Sequence, residues 1–162
     1  MTILVIATIF EKRIQEGEVG MSGFLLWMHP VMQTVAAVLG LWAMWQGLLR
    51  VRMLRGEKVL FPWKKHVKWG MLALSLWLLG ALGFYVTHSL FGETHITGTH
   101  AILAWPIMGL TLLGLGTGYV MNRWKRKRFW LPMAHGCLNV LLLALVAVEC
   151  WTGVGLWDTF GG

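Results

Sequence analysis

The sequence predicts an all-α integral membrane protein: a four-transmembrane-helix, up-down bundle with a short N-terminal interfacial helix. Three observations carry that expectation. The chain of 162 residues is 57% hydrophobic and only 13% charged, with a mean hydropathy of +0.64, whereas ordinary soluble domains carry roughly 25% charged residues. Four long apolar stretches run from about Gly23 to Leu49, Pro62 to Thr87, Gly98 to Met121 and Trp130 to Gly153. The cations, finally, cluster between stretches one and two and between three and four. This composition excludes disorder, collagen and a disulfide scaffold. The two cysteines, Cys137 and Cys150, lie inside one apolar run and form neither a CxxC pair nor a zinc motif, so they read as small apolar residues.

Each stretch in turn has the marks of a spanning helix. At 1.5 Å per residue, about 20 helical residues cross the ~30 Å hydrocarbon layer, and a helix satisfies its own backbone polar groups where water is absent. Pro62 and Pro132 fall at the starts of spans two and four, where a missing N–H costs nothing. Pro30 and Pro106 lie deeper, at positions where a helix can kink. Met1 to Phe10 is too short to span and is followed by Glu11, Lys12, Arg13, Glu16 and Glu18. With no basic segment before it and no small-residue cleavage site after it, it reads as an interfacial or partner-docking helix rather than a secretory signal. The organisation expected is an N-terminal segment over residues 1–20, the four-span domain over 21–155 and a tail over 156–162.

Charge orients the bundle. Of the 14 Lys and Arg residues, 12 lie at one end: Arg50, Arg52, Arg55, Lys58, Lys64, Lys65 and Lys68 around the first loop, and Arg123, Lys125, Arg126, Lys127 and Arg128 around the third. The positive-inside rule puts these loops in the cytoplasm and both termini outside, as in a bacterial inner membrane. The net charge of +7 is then a topology signal directed at anionic lipid, and no recognition motif points to nucleic acid. Many of the 11 tryptophans, among them Trp27, Trp63, Trp130, Trp151 and Trp157, sit toward span ends as an interfacial belt. Trp77 and Trp105 are deeper, suited to lipid-facing packing or to lining a cofactor.

The histidines carry the functional signal. His29, His66, His100 and His135 occur one per span, each a few residues after its span begins. Because spans alternate in direction, His29 and His100 fall near the outer surface and His66 and His135 near the cytoplasmic one. Spans one and three, like two and four, are diagonal in an up-down bundle, so each pair can face across the interior. The two pairs have similar spacing in sequence, 71 and 69 residues. Opposed imidazoles leave room for a planar macrocycle and are common axial ligands of haem iron in bundle cores. Two haems b are therefore expected, an outer one on His29 and His100 and a cytoplasmic-side one on His66 and His135, roughly 20 Å apart along the membrane normal. On an ideal helix, Gly40, Ala43 and Gly47 share the face of His29, and Thr111, Gly114 and Gly118 that of His100. Gly80 follows His66 by 14 residues and Gly153 follows His135 by 18. Small residues thus stand where the opposite pair's cofactor would lie, although close helix packing gives the same stripe.

This constellation resembles the di-haem, four-helix transmembrane cytochromes b, of which the cytochrome b561 superfamily is the best-known type. The resemblance covers Gly23 to Gly153 and rests on the paired histidines and on the His29-Pro30 step. It implies a two-haem bundle moving electrons across the membrane. No residues match that family's ascorbate-type sites, so a quinol, menaquinol or ubiquinol, is the expected substrate, and the chain reads as a quinone-reactive subunit of a redox complex with partner subunits on the outer side. Lys64, Lys65, Lys68 and Arg123 are placed to pair with propionates of the inner haem. Glu149, the one carboxylate within a span, could accept a proton from quinol or hydrogen-bond a histidine. His88 and His95 stand outside the pattern and could bind quinone, a partner or a further haem. Two other classes remain open: a histidine-lined transition-metal or proton transporter, and a purely structural anchor.

Overall fold

The computed structural model describes residues 19–91 and 98–160, with side chains described for 27–85, 88 and 98–155. All regular structure among these residues is helical: α1 (Val19–Leu54), α2 (Trp63–Leu79), α3 (Leu82–Phe91), α4 (Thr99–Arg123) and α5 (Trp130–Phe160). Helices α2 and α3 together make span two, so that four spans, Trp27–Leu54, Trp63–Tyr85, Thr99–Arg123 and Trp130–Gly155, are long and apolar enough to cross a bilayer. The protein is a multi-pass, four-helix membrane bundle. The expected interfacial helix and His95 lie outside the described residues. The last helix continues through Phe160, beyond the expected end of the domain.

Local sequence explains where the helices stop and what they tolerate. Span one ends in a Schellman turn. Gly56, at φ 88°, takes the left-handed conformation, its N–H donates to the Met53 carbonyl (3.1 Å) and the Glu57 N–H donates to that of Arg52 (3.2 Å). The Arg52 guanidinium pairs with Glu57 across the same turn at 2.7 Å. Pro62 immediately precedes α2, and Pro132 is the third residue of α5, where the lost N–H has no partner to miss. Pro30 and Pro106 both sit inside helices that continue past them.

The spans pack in a ring in chain order. One and two share an extensive interface, as do three and four. Two also packs against three, and one against four, which leaves one/three and two/four diagonal. Lipid is as apolar as leucine, so the interior is selected by close approach rather than by hydrophobicity. The buried positions accordingly include Ala36, Ala43, Ala73, Ala101, Thr111 and Gly114, while Trp27, Val31, Val35, Val38, Trp42 and Trp45 of span one face outward. Trp77 is the bulkiest of the buried residues. At 5% exposure it belongs to the core with Ala36, Leu74, Ile107, Leu142 and Val146, which corrects the expectation of lipid-facing packing. It fits because Gly40 opposes it: a Cβ at Gly40 would lie 2.5 Å from the indole ring. Trp105 is outward-facing at 57% exposure.

Span two is overwound at its middle. Between α2 and α3, the N–H groups of Gly80, Ala81, Gly83 and Phe84 donate to the carbonyls of Trp77, Leu78, Gly80 and Ala81 at 2.8–3.1 Å, the i to i+3 pattern of a 3₁₀ turn. Gln33 of span one packs into this turn and donates from Nε2 to the Leu76 carbonyl at 3.3 Å. A side chain at Gly80 would collide with Gln33. That accounts for Gly80, which makes room for Gln33.

Candidate functional site

The bundle brings the four span histidines together in two pairs. His29 and His100 approach with ring centroids 6.3 Å apart and planes at 75°. His66 and His135 do so at 6.3 Å and 77°. Each pair joins diagonal spans, as the sequence predicts. His66 and His135 lie at the end carrying the basic loops, hereafter the basic end, and His29 and His100 at the far end.

Every one of the four rings rests on a glycine of the antiparallel neighbour. A Cβ at Gly83 would lie 3.1 Å from both Cε1 and Nδ1 of His29, one at Gly47 3.4 Å from Cε1 of His66, one at Gly153 3.3 Å from Cε1 of His100, and one at Gly118 3.3 Å from Cε1 of His135. The glycines are reciprocal. Span one supplies His29 and, 18 residues later, the seat for His66; span three does the same with His100 and Gly118, and span four with His135 and Gly153. In span two the interval from His66 to Gly83 is 17, which on an ideal α-helix leaves Gly83 about 100° off the histidine face. The 3₁₀ turn removes most of that offset, since each overwound residue adds about 20°. Eighteen residues of helix put the two pairs about 27 Å apart along span one, somewhat more than the sequence reading gave.

The rings of His66, His100 and His135 are also held by hydrogen bonds at Nδ1. His66 Nδ1–H donates to the Ala43 carbonyl at 2.9 Å. His135 Nδ1–H donates to Thr117 Oγ1 at 2.8 Å, while the Thr117 hydroxyl donates to the Leu113 carbonyl at 2.7 Å. His100 Nδ1–H donates to Thr152 Oγ1 at 3.1 Å, and that hydroxyl donates to the Glu149 carbonyl at 3.0 Å. The Ala43 carbonyl only accepts, so the His66 proton sits on Nδ1 and its Nε2 lone pair is free to ligate; at His135 the Asn139 amide nitrogen also stands 3.4 Å from Nδ1 and 3.5 Å from Nε2. Phe61 packs on His66 at 5.4 Å, and the Arg50 guanidinium lies 5.5 Å over the Phe61 ring.

Among the described residues, four buried side-chain polar atoms have no hydrogen-bond partner: Gln46 Oε1, Trp77 Nε1, Arg128 Nη1 and Glu149 Oε2. Gln46 adjoins Gly47, Arg128 opens the basic end of span four, Glu149 touches His100, and Trp77 lies between the two levels. Unpaired buried polar atoms are costly, and a polar group held beside any of them would relieve that cost.

The remaining expected site residues divide. Glu149 Oε1 stands 3.4 Å from His100 Nδ1, the histidine contact anticipated for it. Lys64, Lys65, Lys68 and Arg123 are exposed, with Lys68 lying 5.1 Å over its neighbour Trp69. Among the described residues, Arg128 is the cation with a buried nitrogen that lacks a hydrogen-bond partner, which its place in a run of cations did not reveal. His88 is exposed on α3. Both cysteines are exposed and unpaired. Gly83 was missed because its spacing is irregular, and the part Ala43 plays toward His66 because it is made by a backbone carbonyl.

What the site can do follows from the donor count. No group of three or more His, Cys, Asp or Glu side chains able to hold a bare metal ion occurs among the described residues. Donors come in opposed twos, an arrangement suited to an ion that brings its own equatorial ligands. A nitrogen bound to a first-row metal at about 2 Å puts its ring centre roughly 3 Å away, so two axial imidazoles stand roughly 6 Å apart, close to both observed separations. Comparison of the chain with protein-family models, with curated proteins and with solved structures gives no match.

Proposed function

We propose that the protein is a di-haem b-type cytochrome that carries electrons across a membrane, with one haem on His29 and His100 and the other on His66 and His135. The observation that carries this reading is the duplicated pair: two diagonal imidazole couples at 6.3 Å, each ring seated on a glycine. The Nδ1 bonds of His66, His100 and His135 add to it, because they orient a ligand and raise its basicity. The likeness to the cytochrome b561 type noted from the sequence supports the same reading. Haem supplies the one-electron chemistry, and the chain supplies ligands, burial and nearby charge.

In this reading the protein works in a bacterial inner membrane with its basic loops in the cytoplasm and its termini outside. A quinol is its substrate class and redox subunits on the outer side are its partners. Arg128, whose Nη1 is buried without a hydrogen-bond partner, joins Lys64, Lys65, Lys68 and Arg123 as a cation suited to a propionate at the basic end.

Purified protein should show b-type bands in a reduced-minus-oxidised spectrum and two haems per chain. Replacing His66 and His100 together by alanine should remove both. Full retention of both haems in that double variant, or a wild-type protein without b-type bands, overturns the proposal.

A further inference from the structure

The two histidine levels differ in the charge placed beside them. At the far end, Glu149 Oε1 lies 3.4 Å from His100 Nδ1, sharing that N–H with Thr152 Oγ1. Glu149 is the only carboxylate in any of the four spans. At the basic end the Nδ1 acceptors are neutral, the Ala43 carbonyl for His66 and the Thr117 hydroxyl for His135. The charges there are cationic: Arg50 stacks over Phe61, which in turn packs on His66, and Arg128 buries an unpaired nitrogen. The hairpins are otherwise in register, and the position of span two matching Glu149 is Gly80, by the same 69-residue offset that relates His66 to His135. The carboxylate is thus a feature of one level alone.

We propose that Glu149 makes the His29–His100 site the lower-potential of the two, so that an electron shared between them rests at the His66–His135 site. This rests on the di-haem reading. Reduction lowers the charge on iron by one. An anion hydrogen-bonded to a ligand favours the ferric form, and cations beside the other site favour its ferrous form. With one electron in the pair, His66 and His135 would hold the reduced haem and His29 and His100 the oxidised one. Glu149 acts here through His100, as a positioning residue, and the step it creates runs from the far end to the basic end.

The test is a spectroelectrochemical titration of the full-length, haem-loaded protein. Wild type should titrate in two one-electron waves, and His29→Ala should remove the lower one. Glu149→Gln should raise the lower wave by at least tenfold in equilibrium constant, about 59 mV for one electron, and leave the upper wave in place; Glu149→Asp should keep most of the wild-type gap. Thr152→Val leaves the carboxylate as sole acceptor and should move the lower wave the opposite way, which keeps a readout if Glu149→Gln assembles poorly. An unmoved lower wave in both Glu149→Gln and Thr152→Val, or loss of the lower wave in His135→Ala instead of His29→Ala, overturns the assignment while the b-type bands uphold the di-haem reading. A protein without b-type bands overturns both.

Discussion

The hairpin of spans one and two and the hairpin of spans three and four are built on one plan with different fillings. His29, Gly47, His66 and Gly83 of the first correspond to His100, Gly118, His135 and Gly153 of the second at offsets of 69–71 residues. The buried positions correspond too: Ala36, Gly40 and Ala43 with Ile107, Thr111 and Gly114, and Ala73 and Trp77 with Leu142 and Val146. The histidines and their seats are therefore repeated, whereas the packing between them is not. Trp77 against Gly40 fills in the first hairpin what Val146 and Thr111 fill in the second. The difference teaches that two constraints act separately: the ring geometry is held twice over, and the interior volume is met by whatever pair of side chains sums correctly.

The largest effect should come from the ligands, and it asks whether the hairpins are equal partners. If each site takes one histidine from each hairpin, single alanine replacements fall into two classes that cross the hairpins. His66→Ala and His135→Ala should each drop haem from two to one per chain and remove the same spectral component; His29→Ala and His100→Ala should remove the other. Classes that follow the hairpins, with His29 grouping with His66, would break the diagonal pairing.

The glycine seats come next, and they grade the comparison. A methyl group at Gly83 meets two ring atoms at 3.1 Å, whereas one at Gly47 meets Cε1 at 3.4 Å, which is ordinary contact. Gly83→Ala should weaken haem retention at the far end by about tenfold, as loss of an outer-shell orienting contact does, while Gly47→Ala should leave the basic-end site near wild type. Gly118→Ala and Gly153→Ala fall between. Dissociation of haem to an apo-globin scavenger gives the order, and an inverted order would show that the rings are not held against these backbones.

How much of this was legible in the sequence follows from the same contrast. Hydropathy gave four spans because the bilayer length is a strong constraint on composition, and alternation of direction gave the two histidine levels. Diagonal pairing required only that the spans pack in chain order. Gly83 was hidden because face arithmetic assumes 100° per residue and span two contains a 3₁₀ turn. Gly40 and Gly80 were legible as small, but which side chain faces each is set by the neighbouring helix: Trp77 for one and Gln33 for the other. Arg128 was hidden in a run of four cations, where only the fold distinguishes a buried nitrogen from solvated ones.

Core packing should show the hairpins' unlike fillings more mildly. The Trp77 indole is rigid, and a Cβ at Gly40 would stand 2.5 Å from its edge. Gly40→Ala should therefore cost about 1–3 kcal/mol by overpacking, read as a lower Tm of the detergent-solubilised protein. Trp77→Leu in the same chain should restore part of the loss, because the shorter side chain vacates the clash. The matching position in the other hairpin, Thr111, is fully buried and already carries a side chain that donates to the Ile107 carbonyl at 2.7 Å. Thr111→Ala removes volume and adds none, and the backbone carbonyl it frees keeps its helix partner, so a smaller loss is expected. Equal losses at Gly40 and Thr111 would mean that the two interiors tolerate volume change alike.

The smallest effects should lie at the basic end, where topology and binding compete to explain the cations. Lys64, Lys65 and Lys68 are exposed on the first turns of α2, and a single lysine-to-glutamine change there should alter stability by less than about 0.5 kcal/mol. Haem content should be unchanged, since a solvated ammonium interacts weakly with a group below the surface. Arg128→Gln removes the one cation at that end with a buried, unpaired nitrogen among the described residues. If a propionate meets that nitrogen, the change should speed haem loss from the His66–His135 site by several-fold and spare the far-end site. The lysine variants serve as the measure of what charge alone does, because they subtract the same unit charge from the same loop region. A common response of all four variants would reduce Arg128 to a topology signal; a response confined to Arg128 would separate the one cation that faces inward from those that face lipid headgroups.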